Sequence, residues 1–182
     1  MPPRLAIIGT GKMGRAIASL AKERGWLVVA EIDEAGNAGG AGITRESLAG
    51  AEVAVEFTVP AAAPDNIRAC LRAGCPVVVG TTGWRAELEA VSREVSAAGG
   101  ALLFSPNFSI GVNLFWRAAE QAARLLAKTA GFDAHIVETH HAAKKDAPSG
   151  TALELQRLAQ AALGRSIPVT SVRTGSVPGS HE

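Results

Sequence analysis

The sequence predicts an α/β protein, with a Rossmann-type parallel sheet followed by a smaller α+β domain. Short apolar strands without polar alternation are separated by helix-like stretches in the first hundred residues, which is typical of a parallel sheet covered on both faces. A glycine-rich turn directly follows the first of these strands. After Phe104 the pattern changes to longer helices and a half-exposed strand. We therefore expect domains over residues 1–104 and 105–182.

Each predicted element ends at a recognisable signal. Glycines follow the helices, and Pro64 stands in the first turn of the second helix, where a missing N–H costs nothing. The predicted strands of the first domain are residues 4–8, 27–32, 53–57, 77–79 and 101–104, and its helices are 13–24, 64–73 and 85–98. The second domain should contain a turn-rich link at 106–111, helices at 112–128 and 152–163, and strands at 133–139 and 169–173.

The composition and charge of the chain limit the kinds of binding partner that we expect. The chain has 182 residues, a net charge of +1 and no run of Lys or Arg, so no nucleic-acid partner is expected. No apolar run approaches the roughly 20 residues needed to cross a bilayer, and no signal segment precedes the first strand. Cys70 and Cys75 lack metal-ligand spacing and are interpreted as reduced thiols. These features favour a cytoplasmic location without a membrane partner.

The turn after the first strand has the pattern GxGxxG and predicts a dinucleotide site. Gly9 permits the tight turn, Gly11 lets a pyrophosphate approach the backbone, and Gly14 allows close packing of helix and strand. The second strand ends in Asp33, about 20 residues further on, where a carboxylate can bind the ribose 2′-hydroxyl. Because Glu34 rather than arginine follows, a 2′-phosphate should be repelled, which favours NADH over NADPH.

Three further segments follow strands of the predicted sheet, where open α/β sheets bind ligands. They are Phe57-Thr58, Gly80-Thr81-Thr82-Gly83 and Ser105-Pro106-Asn107-Phe108. Their small hydroxyl residues and glycines suit contact with a nicotinamide carboxamide. Ordinary turn chemistry explains the same residues equally well, so both interpretations stay open.

The segment from Glu138 to Thr151 gathers basic and hydroxyl side chains beside a helix start. Thr151 and Glu154 form a possible capping box, and the helix N-terminus is a ready anion site. A histidine or lysine there can deliver the proton that accompanies a hydride. A solvated basic loop is the alternative. No metal is expected, because the two neighbouring histidines lack a third ligand at suitable spacing.

The same segment, Glu-x-His-His-x-x-Lys-x-Asp-Ala-Pro-Ser-Gly-Thr-Ala at residues 138–152, resembles the defining motif of the dihydrodipicolinate reductase family. The opening Gly-x-Gly-Lys-Met-Gly, Gly80–Gly83 and residues 106–113 agree with that family too. The resemblance extends from residue 4 to about residue 179. It implies NAD(P)H-dependent reduction of the cyclic dicarboxylate 4-hydroxy-tetrahydrodipicolinate to tetrahydrodipicolinate in lysine and diaminopimelate biosynthesis, by a homotetramer.

The resemblance also implies roles for individual residues. His140 would be the proton donor and Lys144 would share that acid role. Substrate carboxylates would be held by His141, Lys144, Ser149, Gly150 and Thr151. Cofactor contacts would come from Gly9, Thr10, Gly11, Lys12, Met13, Gly14, Asp33, Gly80, Thr81, Thr82, Ser105, Pro106, Asn107 and Phe108.

The end of the sequence departs from the family pattern. Residues 172–181 resemble a strand of the substrate domain, after which family chains continue through further strands and a helix. We therefore expect a C-terminally truncated member, in which tetramer formation, stability or activity is reduced. An inactive nucleotide-binding remnant and another Rossmann dehydrogenase acting on an imino or amino acid are the alternative functions.

Overall fold

A parallel five-stranded sheet forms the first of two units in the computed structural model, which describes residues 1–182. This unit spans Met1–Ser105. Its strands are β1 (Arg4–Ile8), β2 (Leu27–Ile32), β3 (Val53–Glu56), β4 (Val77–Val79) and β5 (Leu102–Phe104), in the order β2-β1-β3-β4-β5. Its helices are α1 (Lys12–Glu23), α2 (Ala63–Ala73) and α3 (Arg85–Ala97). The predicted Rossmann-type sheet is confirmed.

The sheet of the first unit is buried on both faces. Successive residues of β1 point to opposite faces, so Ile7 packs against α1 while Ile8 joins the cluster around Ile67 of α2 and Val79 of β4. Both β1 isoleucines are almost fully buried. The absence of polar alternation in the sequence therefore has a direct structural cause, because neither side of this strand contacts water.

The second unit, Pro106–Glu182, combines helices with a small mixed sheet. Its elements are α4 (Ile110–Leu126), β6 (Ile136–His140), α5 (Gly150–Leu163), β7 (Val169–Arg173) and β8 (Ser180–His181). The strand order is β7-β6-β8, with β6 parallel to β7 and antiparallel to β8. Helix α4 packs against α5 around Trp116 and Leu155, and the predicted α+β class is confirmed.

Four elements of the second unit differ from the sequence prediction, one of them α5, which begins at Gly150 rather than residue 152. Helix α4 begins at Ile110 rather than residue 112, because the Ser109 hydroxyl accepts a hydrogen bond from the N–H of Val112 at 3.4 Å and caps the helix. Strand β6 begins at Ile136 rather than residue 133. Strand β8 was not predicted, since two residues are too few to show alternation. No helix in either unit has the length and apolar character that a bilayer-spanning segment requires.

Candidate active site

The turn after β1 depends on glycine at two positions. Gly9 has φ +95°, and an added Cβ would lie 2.2 Å from the carbonyl oxygen of Phe57. A Cβ on Gly14 would lie 1.9 Å from the carbonyl oxygen of Gly9, so this glycine allows α1 to approach the turn. A Cβ on Gly11 would meet nothing within 4 Å. The turn is therefore closed towards the sheet and open on the side where a phosphate would bind.

A cavity of about 350 Å³ lies beside this turn. It is lined by residues from the ends of three strands and from α2, and half of its twelve lining residues were predicted cofactor contacts: Gly9, Thr10, Gly11, Asp33, Phe57 and Thr58. Glu34 also lines it, beside Asp33. Carboxylates of Asp33 and Glu34 thus belong to the lining of a cavity that adjoins the glycine turn. The glycine cradle and the cavity together fit a nicotinamide nucleotide.

Other predicted cofactor residues lie outside this cavity. They are Lys12, Met13, Gly14, Gly80, Thr81, Thr82, Ser105, Pro106, Asn107 and Phe108. Two of them have structural explanations: the Thr81 hydroxyl accepts the N–H of Thr58 at 2.7 Å, and a Cβ on Gly80 would lie 2.1 Å from the ring of Phe57. Their role in cofactor binding stays a prediction.

A polar network that includes residues of the cavity lining was not predicted from the sequence. Glu56 at the end of β3 is fully buried and accepts hydrogen bonds from the Thr58 hydroxyl and, at 3.3 Å, from the Asn66 amide. Asn37 donates in turn to Asn66 at 2.8 Å. This network connects the loop after β2 to the strand ends that line the cavity. The signal for this network in the sequence was a charged residue at the end of an apolar strand.

Asn107 organises the start of the second unit. Its side-chain oxygen accepts the N–H of Ser109 at 2.9 Å, and its amide nitrogen lies 3.4 Å from the Thr151 hydroxyl. Asn113 donates to the Asn107 carbonyl at 3.0 Å. These bonds join the segment before α4 to the first turn of α5.

His140, the last residue of β6, is held by a buried carboxylate. Residues two apart on a strand point to the same face, and the Nδ1 atom of His140 contacts Oε2 of Glu138. The side chain of Glu138 is 0% exposed and that of His140 is 12% exposed. The ring nitrogen is therefore paired with a charged group that water does not reach.

Arg173 of β7 completes this pair. Its NH2 group donates to Oε1 of Glu138 at 2.7 Å and to the carbonyl oxygen of Asp146 at 2.6 Å. Burial raises the pKa of Glu138, but hydrogen bonds from Arg173, Ser171 and His140 outweigh burial and lower the pKa to about 2. Glu138 is therefore ionised at neutral pH.

His181 of β8 approaches the same cluster. Its Nε2 lies 2.9 Å from the hydroxyl of Ser149, and its ring lies edge-on to that of His140 with centroids 5.1 Å apart. Burial, and next the charge of His140, lower the pKa of His181. No role for this histidine could be predicted from the sequence, because only the antiparallel pairing of β8 with β6 brings it to Glu138.

The cluster bears on the expectation that no third metal ligand is available. Ligand atoms of Glu138, His140 and His181 lie within 4.8 Å of one another. The expectation that no third potential ligand is available was therefore wrong for the folded chain. The charges in the cluster favour hydrogen bonding over a metal ion. One carboxylate oxygen already bonds His140, and the other bonds the cation Arg173.

The loop between β6 and α5 carries the remaining predicted site residues. Lys144 Nζ lies 2.8 Å from Oδ1 of Asp146, whose side chain is exposed. His141 and Lys144 belong to one tight turn, closed by a hydrogen bond from the Lys144 N–H to the His141 carbonyl at 3.1 Å. The loop therefore presents basic groups close to the start of α5.

The start of α5 corrects the predicted capping box. Ser149, not Thr151, is the N-cap, and its hydroxyl accepts the N–H of Ala152 at 3.1 Å. Glu154 pairs instead with Arg157. Gly150 and Thr151 are the first two helical residues, so their N–H groups precede the first intrahelical hydrogen bond. These N–H groups, with the helix dipole, suit a carboxylate.

A parallel sheet with a glycine-dependent turn and an adjoining cavity, followed by a domain that carries a histidine cluster, is typical of the class of nicotinamide-nucleotide oxidoreductases. Similar solved structures agree on this fold. Dihydrodipicolinate reductase from Paenisporosarcina, solved with dipicolinate, has a TM-score of 0.76 at 24% identity and covers 100% of this chain and 82% of that one. An oxidoreductase from Agrobacterium radiobacter, solved with NAD+, L-tartaric acid and magnesium, has a TM-score of 0.56 at 14% identity, covering 90% and 55%.

Sequence comparison identifies the family within this class. Residues 3–108 match the N-terminal part of dihydrodipicolinate reductase and residues 111–182 match its C-terminal part. The chain belongs to the dihydrodipicolinate reductase family. The 4-hydroxy-tetrahydrodipicolinate reductase of Thiobacillus denitrificans is 40% identical over 94% of this chain and 70% of its own length. Those of Christiangramia forsetii and Methanopyrus kandleri are 32% and 42% identical, over 77% and 54% of their own lengths.

Proposed function

We propose that this protein reduces 4-hydroxy-tetrahydrodipicolinate to tetrahydrodipicolinate with NADH or NADPH, a step of lysine and diaminopimelate biosynthesis. One observation carries the proposal: the imidazole of His140 is anchored through Nδ1 to a buried, ionised carboxylate, which leaves its other nitrogen to exchange a proton. Family membership supplies the substrate. An inactive remnant is the less favoured reading, because Glu138 and His140 of the family motif are paired with each other and with Arg173.

The chemistry divides between the two units. A bound nicotinamide nucleotide supplies the hydride, and the glycine turn and Asp33 would hold its phosphates and ribose. In the second unit His140 would donate one proton to the substrate, so that one hydride and one proton enter and the 4-hydroxyl group leaves as water. Lys144, which Asp146 orients, would share this acid role. Protonation and charge neutralisation then come from residues of one loop and one strand end.

The substrate carboxylates would bind at the start of α5. The N–H groups of Gly150 and Thr151 point out of the helix end, and the adjoining loop adds the Lys144 ammonium group and the His141 ring as further hydrogen-bonding groups. The Ser149 hydroxyl already bonds Ala152 and His181, so Ser149 would act mainly by shaping the helix end. A dianionic substrate therefore meets backbone and side-chain donors together.

Replacing His140 by alanine tests the proposal. We expect the turnover number to fall by about 10²–10⁴-fold, as for loss of a general acid. The assay follows oxidation of NADH after the product of the preceding synthase is added. His135→Ala is the matched control, because His135 is exposed and bonds only the side chain of Thr170. Full activity of the His140 variant would refute its role, and absence of any substrate-dependent oxidation by the wild type would refute the proposed reaction.

Cofactor preference is a separate part of the proposal. Two neighbouring carboxylates, Asp33 and Glu34, line the cavity, and both would repel a 2′-phosphate. We propose that NADH is preferred to NADPH. The ratio of kcat/KM for the two nucleotides measures the preference, and Glu34→Arg should shift that ratio towards NADPH. A wild-type enzyme that prefers NADPH would contradict this proposal.

Assembly and location are also proposals. By family resemblance we propose a homo-oligomer, a tetramer, which light scattering after gel filtration would test; a monomer at all concentrations would contradict it. We propose a cytoplasmic location, which the two buried free thiols Cys70 and Cys75 support. Burial raises the pKa of Cys70 to about 12, so this thiol is unreactive.

A further inference from the structure

Glu138 is the most buried charged group of the second unit. His140 could donate a proton without this carboxylate, so the burial of Glu138 needs an explanation of its own. Burying an ionised carboxylate is costly unless other groups pair with it. Here each carboxylate oxygen has a partner: Oε2 bonds His140 and Oε1 bonds Arg173. We propose that Glu138 is a positioning residue, which fixes the ring of His140 so that Nε2 carries the transferable proton. This inference rests on the proposed function.

The protonation of the ring follows from the chemistry of the carboxylate. An ionised carboxylate can only accept hydrogen bonds, so Nδ1 of His140 must carry hydrogen in both charge states of the ring. The imidazolium then holds its second hydrogen on Nε2. When that N–H bond breaks, the electron pair stays on Nε2, the proton goes to the substrate, and the neutral ring keeps Nδ1–H. The opposite tautomer would face a lone pair towards Glu138.

The space beside Nε2 is kept clear of side chains. Gly179, in the segment before β8, has φ +137°, and a Cβ at this position would lie 3.0 Å from Nε2 of His140. The nearest aromatic ring is that of His181, which stands edge-on. Since burial lowers the pKa of His181, this neighbour stays neutral and adds no positive charge near the donor. Nε2 is therefore the ring nitrogen that does not bond Glu138, and Gly179 brings no side chain against it.

Arg173 connects this pair to the second proposed acid. The same NH2 group bonds the Glu138 carboxylate and the carbonyl oxygen of Asp146, whose side chain pairs with Lys144. The charged or titratable groups beside His140 are thus Glu138 on β6, Arg173 on β7 and His181 on β8. One guanidinium fixes both the ring and the loop, so Arg173 also acts as a positioning residue.

Kinetics of Glu138 variants test the positioning role. We expect Glu138→Gln to lower kcat by roughly 10–100-fold, the usual cost of losing the partner that orients a functional histidine, with KM changed less than about threefold. Glu138→Asp, which keeps the charge, should recover part of kcat. Glu120→Gln on α4 is the matched control, because that carboxylate pairs only with Arg124. Wild-type kcat for Glu138→Gln at every pH from 5 to 9 would overturn the proposal.

A double variant separates positioning from an independent contribution. If Glu138 acts through His140, adding Glu138→Gln to His140→Ala should cause no further loss of kcat. Losses that multiply would overturn the proposal. Thermal melting checks that each variant is folded, and Glu138→Asp carries the test if Glu138→Gln is not folded at the assay temperature.

Imidazole ¹⁵N NMR gives a readout that does not depend on turnover. The His140 signal, assigned by its disappearance in His140→Ala, should show the Nδ1–H tautomer in the neutral wild-type ring and a shift towards Nε2–H in Glu138→Gln. An Nε2–H tautomer in the wild type would overturn the proposal even if His140 is essential. A fully active His140→Ala enzyme would instead refute the proposed proton donor while the tautomer remains as expected, so the two failures are distinguishable.

Discussion

The two functional sites of this chain are built in different ways. The nucleotide turn lies within six consecutive residues, Gly9–Gly14, and depends on backbone geometry that only glycine allows. The His140 cluster depends on side chains from three strands, with Arg173 and His181 far along the chain from Glu138. The first kind of site tolerates changes around it but not within it. The second fails when any one charge loses its partner.

Loss of the cation from the His140 cluster should have the largest effect on stability. Arg173→Met leaves the Glu138 carboxylate buried without its main partner, and we expect a loss of about 3–5 kcal/mol in the free energy of unfolding. Urea denaturation measures it. The control Arg124→Met breaks an exposed i,i+4 pair with Glu120 and should cost less than about 1 kcal/mol. Equal effects of the two variants would show that the buried pair has no special importance.

In the nucleotide turn, the corresponding test adds a single methyl group to one glycine. Gly9→Ala places Cβ against the Phe57 carbonyl and strains the backbone, so we expect a loss of about 2–4 kcal/mol and loss of NADH binding. Gly11→Ala should cost no more than about 1 kcal/mol, since its Cβ meets no atom. Denaturation with fluorescence titration of NADH measures both, and a stable, nucleotide-binding Gly9 variant would contradict the structural role of this turn.

Acid should weaken the second site through Glu138. Its pKa is about 2 in the folded protein, below the ordinary value of 4.5, so its stabilising effect is present above pH 4.5 and is lost as pH falls from 4.5 to about 2. The loss reaches on the order of 3 kcal/mol. The difference in unfolding free energy between wild type and Glu138→Gln should therefore shrink over this range. A difference independent of pH would contradict the lowered pKa.

The smallest expected effect concerns the start of α5. Ser149→Ala removes the observed N-cap and should cost about 1 kcal/mol. Thr151→Val removes the hydroxyl of the capping box that the sequence suggested, and should change stability by less than about 0.5 kcal/mol. Thermal denaturation of both variants decides between the two caps. A larger loss of stability for Thr151→Val than for Ser149→Ala would support the capping box that the sequence suggested.

The sequence was most informative where the structure is local. The bounds of β1, β2, β4 and β7 agree with the prediction, because an apolar run between turn residues carries its own signal. The cavity beside Gly9 was expected for the same reason, since strand, turn and helix start are consecutive. Element ends were less well predicted, as at α4 and α5, where a serine hydroxyl determines the first helical residue.

The second site was predicted only as a list of residue types. His140 and Lys144 lie close together in the sequence. No periodicity indicates, however, that Arg173 stands opposite His140 or that His181 stands opposite Glu138. Those neighbours follow from strand order and register, which are set by the whole unit. The buried network of Glu56, Asn66 and Asn37 was missed for the same reason.

The strand order β7-β6-β8 also constrains how the chain folds. Glu138 on the central strand is 35 residues away from Arg173, its main cationic partner. At a synthesis rate of about 5–20 residues per second, roughly 2–7 s separate the emergence of the two from the ribosome. During that interval the carboxylate cannot be buried without a large penalty, so β6 must wait in a hydrated state. We therefore expect Glu138 to become buried only when β7 docks beside β6.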